Sequence, residues 1–325
     1  MFRACRTKAM GTLGLLLLLP AALHAQVAPQ PPQPTQQEFA REVAAGGLVF
    51  VQDPAIVIET EEMLIARNEI SITYVLRNIT AAERRILVAF PLPELDTAAI
   101  GDQPVKLPAQ AANFVAAAFS VNGAPLTAEM DQRALALGLD VTAQLAALQI
   151  TMQPYDPAVP GQLKRLPKVT KVDLLQRGIL RAEDERIEPN WSARTTAFWR
   201  QSFPSRRSVT ITLNYRPLTA TAPFNPALLE AVRPTHCLDG AADVAVTRKV
   251  AAQGGKVAFN WTSFVPGNGS SLLGPARHFR LRIEKPSIDT LVVTCRGNLR
   301  PLGPTTLEWT AKNYLEEEIR ILFVD

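Results

Sequence analysis

From Gly47 onward, apolar and polar side chains alternate through short runs that end at Pro, Gly or Asn, the pattern of half-buried β-strands. Leu48 to Val51, Ala55 to Thr60, Glu69 to Asn78 and Arg84 to Phe90 are predicted strands. In the third, Ile70, Ile72, Tyr74 and Leu76 share one face while Ser71 and Thr73 take the other, as in a sheet wet on one side. Pro91 and Pro93 end the fourth because they bring no N–H to a ladder. Phe114 to Val121 runs into Asn122-Gly123, two residues that tolerate the positive φ of a tight hairpin turn. The spacing then changes between about 127 and 188. Met130, Ala134 and Leu137 recur at i, i+4 and i+7 before Gly138; Asp140 can cap a second helix carrying Val141, Leu145 and Leu148; a third stretch carries Val172, Leu175 and Ile179. Thr195 to Phe203 and Ser208 to Tyr215, joined by a short polar turn, are predicted to pair as antiparallel strands.

The predicted fold is mainly β. An antiparallel β-sandwich domain at 38–216, with a helical insertion at about 127–188, is followed by a Pro-marked linker at 217–234 and a smaller β-rich domain at 235–325. The last domain draws its strands from Lys256 to Phe264, His278 to Glu284, Leu291 to Cys295, Thr305 to Ala311 and Ile319 to Val324.

The beginning of the chain sets the expected compartment. Arg3, Arg6 and Lys8 precede an apolar run from Met10 to Leu23 and a Leu-His-Ala cleavage pattern, which reads as a signal peptide at 1–25. A tether rich in Pro and Gln follows at 26–37. Removing the first 25 residues takes away three basic groups and lowers the net charge from +4 to about +1, which gives nucleic-acid binding no support. Cys5 leaves with that segment, so Cys237 and Cys295 remain as an even pair in an oxidising compartment, where a disulfide is expected. The expected location is periplasmic or extracellular.

Gly46-Gly47-Leu48-Val49-Phe50, Glu61-Glu62-Met63-Leu64-Ile65, Tyr74-Val75-Leu76-Arg77-Asn78 and Ala89-Phe90-Pro91-Leu92-Pro93 together resemble a bacterial exported family, domain of unknown function 4424. The likeness continues through Phe198-Trp199-Arg200-Gln201-Ser202-Phe203-Pro204, Tyr215-Arg216-Pro217, Cys237, Phe279-Arg280-Leu281, Cys295 and the closing strand. It implies export and transfers no activity. A more distant similarity, through Phe90 to Pro93, Phe203-Pro204 and Tyr215, is to the vault and inter-alpha-trypsin β-sandwich domain. The Asp-x-Ser-x-Ser adhesion pentapeptide that often follows that domain does not occur, so metal-dependent adhesion does not carry over.

Candidate chemistry is sparse. Beyond residue 25 the chain has His236 and His278 as its histidines, with no His-Glu-x-x-His pattern and no Gly-x-Ser-x-Gly elbow. No cofactor motif is found. Trp199, Gln201 and Phe203 lie on one strand face and would form a stacking platform if open, or core if covered. Lys164, Arg165 and Lys168, with Lys171, Arg177 and Arg181, form a basic cluster suited to anionic envelope polymers, or a solvated helix entry. Glu61-Glu62 and Glu183-Asp184-Glu185 are the carboxylates a glycosidase would draw on. The expectation is therefore a non-enzymatic binding or structural module for an envelope protein or polymer, with a glycan hydrolase using a carboxylate pair as the alternative.

Overall fold

Strands with one apolar face must cover it, and here two sheets cover each other. The computed structural model describes residues 46–50, 53–95, 112–183, 186–264 and 273–325. The predicted signal peptide, the tether, Asp184 and Glu185 lie outside the described residues. In chain order come β1 (Val49–Phe50), β2 (Ile56–Ala66), β3 (Ile70–Asn78), β4 (Arg84–Pro91), β5 (Ala118–Val121), β6 (Ala124–Leu126), β7 (Glu129–Ala136) and β8 (Leu139–Asp140). Then follow α1 (Thr142–Ala147), α2 (Val159–Arg165), α3 (Lys168–Gln176), β9 (Leu180–Glu183), β10 (Arg186–Pro189), β11 (Ser192–Phe203), β12 (Ser208–Tyr215) and β13 (Ala220–Pro223). The remainder is α4 (Pro226–Thr235), α5 (Gly240–Ala252), β14 (Ala258–Phe264), β15 (Ala276–Glu284), β16 (Leu291–Val293), β17 (Arg300–Pro301), β18 (Thr306–Tyr314) and β19 (Ile319–Val324). The protein is mainly β, as its alternation predicts.

An eight-stranded sheet, ordered β17-β18-β15-β2-β3-β12-β5-β6, packs on a five-stranded one, β1-β4-β11-β7-β8. Ring pairs join the inner faces: Phe50 with Tyr74 at 5.8 Å between centroids, Phe90 with Tyr215 at 5.2 Å, and Phe119 with Trp199 at 5.2 Å. The hairpin at Asn122-Gly123 forms as predicted, with φ of 50° and 80° at the two turn residues.

Three local predictions are corrected. β11 and β12 do not pair with each other: β11 lies between β4 and β7, and β12 between β3 and β5, so the Pro204–Arg207 connection crosses from one sheet to the other. Both strands keep an apolar face, and alternation cannot say which sheet receives it. The first predicted helix of the insertion is strand β7. Met130 and Ala134 share a face in a helix and equally in a strand, since four residues make two strand periods; Leu137, the odd member, sits at the turn and is 76% exposed. In the third predicted helix, α3 buries Leu174 and leaves Val172 exposed, whereas Leu175 packs half-buried on the insertion's core and Ile179 is buried just beyond the helix, as predicted.

The boundary expected at 217–234 does not divide the sheets. β15 runs parallel to β2, with His278 opposite Thr60 and Glu284 opposite Ala66, and β18 adds beside it. A parallel neighbour arrives by a long crossover, which leaves no local trace in sequence. A four-stranded sheet, β13-β14-β19-β16, carries α4 and α5 around a second apolar cluster that includes Val232, Val246 and Trp261. β19 joins the two clusters: Ile319, Ile321 and Phe323 face the sandwich core, and Leu322 and Val324 face the other. From Ile321 to Val324 the run is apolar without a break, as in a strand covered on both faces. Cys237 and Cys295 form a disulfide with 5.0 Å between their Cα atoms, as predicted. The insertion has a third cluster of its own around Leu145, Leu163, Leu174 and Trp191, whose indole N–H donates to the Met152 carbonyl at 2.7 Å.

Candidate functional site

The two predicted surface sets fall in different places and do not meet. Trp199, Gln201 and Phe203 are 5%, 9% and 0% exposed, turned into the sandwich. The Trp199 indole N–H donates to Gln201 Oε1 at 3.2 Å, and Gln201 Nε2 donates to the Ser202 carbonyl at 2.8 Å. The platform is core, because the eight-stranded sheet covers that face of β11. Lys164 and Arg165 close α2 and Lys168 opens α3, and all three are exposed.

The acidic pairs also separate. Glu62 faces out and meets Arg280 at 3.1 Å, Glu183 is exposed on β9, and Glu61 is fully buried. The cause lies in β2. Its register against β3 shifts between Ile58 and Thr60, a bulge that turns Glu61, Met63 and Ile65 inward after Ile56 and Ile58. Alternation read backward from Ile65 and Met63 places Glu61 inside, which is the signal in the sequence for this group. Among the described residues no donor other than Glu316 reaches the Glu61 oxygens; that carboxyl, from the β18–β19 connection, is also its charged neighbour. Tyr74, opposite Glu61 on β3, donates its hydroxyl to Glu316 Oε1 at 2.9 Å and accepts from the Leu48 N–H at 3.4 Å. Gly47 lies over this group, and a Cβ there would come within 2.5 Å of the Tyr74 hydroxyl, so the residue must be glycine for the segment to approach so closely.

Two carboxyls facing each other away from water cannot both be ionised. Burial, then the charge of Glu316, hold the Glu61 carboxyl well above its ordinary value of 4.5. Burial and the same carboxylate push the Tyr74 hydroxyl up as well. The folded protein therefore keeps a proton that the unfolded chain releases, so this contribution to stability is whole below pH 4.5 and is lost as pH rises through the folded value. Glu61→Gln is expected to remove that loss and to stabilise the protein at alkaline pH by about 2 kcal/mol, the order of cost for desolvating a buried polar group. Urea unfolding at acid and alkaline pH measures it; an unchanged pH slope would refute the proton assignment.

The open polar surface is the outer face of the eight-stranded sheet. Ser71 and Thr73 lie on it, as the alternation predicts, with Thr73 and Thr212 hydroxyls 3.3 Å apart across β3 and β12. Toward β18 the face becomes ionic. The Glu308 carboxylate is ringed by Arg300, Arg280 at 3.7 Å and Arg282 at 3.5 Å, and the Arg300 hydrogen bond leads in holding it below the usual carboxylate range. Two shallow hollows, of about 340 and 170 Å³, adjoin at Glu62 and Arg280 and extend across β18, β15, β2 and β3. A larger hollow of about 740 Å³ opens at the β2–β3 turn, beside Arg216 and Lys285.

A sequence model of a family described as a domain of unknown function, DUF4424, matches residues 38–322. No curated protein matches the chain. Among solved structures, a Legionella pneumophila protein described provisionally as nutrient binding is 13% identical, over 86% of this chain and 71% of its own, with a TM-score of 0.42.

Proposed function

From a chain that belongs to the family of domain of unknown function 4424, we propose an exported, non-enzymatic binding module of the bacterial cell envelope, holding a protein or polymer partner on the outer face of its eight-stranded sheet. The observation that carries this reading is the contrast between its two polar regions. The facing carboxyls of Glu61 and Glu316 sit against the core, with Glu61 fully buried, whereas the hydroxyls and ion pairs of the outer sheet face are reached by solvent. A hydrolase needs its carboxylates at the substrate; a partner surface needs breadth, and shallow hollows serve it. Export rests on the basic and apolar segment at 1–25 and on the Cys237–Cys295 disulfide, a bond suited to oxidising compartments. No helix among the described residues is long and apolar enough to cross a membrane.

The test is photo-crosslinking in cells with p-benzoylphenylalanine at Thr73 or Thr212, and at Arg85, exposed on the five-stranded sheet, as the control. Adducts are expected from the first two positions and should be lost when Arg280→Glu is added. Adducts from Arg85 alone would overturn the assignment of the face. Release of glycan fragments by the purified protein, abolished by Glu61→Gln, would overturn the non-enzymatic reading in favour of a hydrolase.

A further inference from the structure

Ten large apolar side chains stand exposed among the described residues, and four of them, Leu137, Leu139, Val169 and Val172, belong to the insertion. Their arrangement follows from helix geometry. At about 100° per residue, Val169, Val172 and Gln176 share the side of α3 opposite Leu174, the residue that the helix buries. Val169 is 76% and Val172 44% exposed, and both stand away from the insertion's own core. Just beyond the helix, Gly178 adopts φ +69°, and the Leu137 side chain lies so near that a Cβ there would come within 2.6 Å of it. The β7–β8 tip thus adjoins the C-terminal end of α3.

The charge along α2 and α3 is mostly positive. Residues 159–178 hold five basic side chains and one acid, Asp173, an excess of +4 that equals the net charge of all 325 residues. Asp173 is paired with Arg177 at 3.8 Å. Lys171 donates to the Lys164 carbonyl at 3.0 Å and so ties α3 to the end of α2, where Lys164 and Arg165 stand exposed. Branched apolar side chains in water, bordered by cations, match an anionic bilayer surface: the apolar groups enter the acyl boundary while the amino groups stay among the lipid phosphates. We propose that the α2–α3 insertion docks the protein on an anionic lipid surface. This site is separate from the sheet face and does not depend on a partner there.

Sedimentation of the purified protein with vesicles containing phosphatidylglycerol, against vesicles of phosphatidylcholine alone, tests it. Binding is expected on the anionic vesicles only. Loss should be about 100-fold in Lys164→Gln/Arg165→Gln/Lys168→Gln, at roughly one decade or less per cation, and about tenfold in Val169→Ser/Val172→Ser, with melting temperatures unchanged. Equal binding to both vesicle types, or to neither, overturns the proposal. Full retention by the serine variant also overturns it, since a purely ionic contact with any polyanion would behave in that way. As an independent reading, Val172→Trp should shift its fluorescence to the blue on phosphatidylglycerol vesicles; an unshifted spectrum counts against insertion of this side of α3.

Discussion

Replacing both Cys237 and Cys295 by serine is expected to destabilise the folded protein by about 4 kcal/mol, the entropy that a loop of this size returns to the unfolded chain. The two residues are 58 apart in sequence, and the segment between them contains α5, β14, β15 and β16. Its release therefore reaches both apolar clusters, because β15 belongs to the sandwich and β14 contributes Phe259 and Trp261 to the second core. Cys237 also adopts φ 51°, a conformation in which a side chain is strained, so the bridge holds a turn that the local backbone does not favour. Urea unfolding of the oxidised protein and the serine variant, followed by tryptophan fluorescence, gives the difference. A change below about 1 kcal/mol would show that packing of α4 and α5 confines this region without the cross-link.

The residue before the bridge accounts for the second large effect. His236 ends α4 at 1% exposure, and burial, followed by the nearby Arg320 charge, pushes its imidazole down to about 4. The folded protein thus refuses a proton that the unfolded chain accepts near 6.5. Its contribution is present above pH 6.5 and is lost as pH falls through about 4, and over that interval it is worth about 3 kcal/mol. His236→Phe retains a ring of similar bulk without the titration. Wild type minus variant should therefore fall by about 3 kcal/mol between neutral pH and pH 4, with the carboxylates common to both cancelling. Parallel curves would place the acid sensitivity elsewhere. Glu61 works in the opposite sense, losing stability as pH rises, so the two substitutions should tilt the stability profile in opposite directions.

Much of this molecule is legible along the chain. Period-two alternation marks β3 and β4, Asn122-Gly123 marks the hairpin, and the apolar-rich stretch Ile319 to Val324 marks the closing strand. The cysteine pair is read from parity and compartment, and Ser71 and Thr73 are read as outward from the same alternation that turns Tyr74 inward. Each of these depends on neighbours within a few residues, where backbone geometry assigns the face directly.

Partnership between distant segments has no such local record. Trp199, Gln201 and Phe203 share a face in either reading, and whether that face meets solvent or a second sheet depends on β5 and β12 arriving over it. Glu61 and Glu316 come from opposite ends of the described chain, brought together by one bulge and by a β18–β19 connection whose course depends on β15 joining β2 in parallel. Val172 is apolar at a helical spacing that fits burial, yet Leu174 packs instead, because the insertion has one core and α3 can turn only one side toward it. Faces follow from bonds between adjacent residues and so can be read one residue at a time. Neighbours in space follow from the minimum of free energy over the whole chain, and no window of sequence contains it.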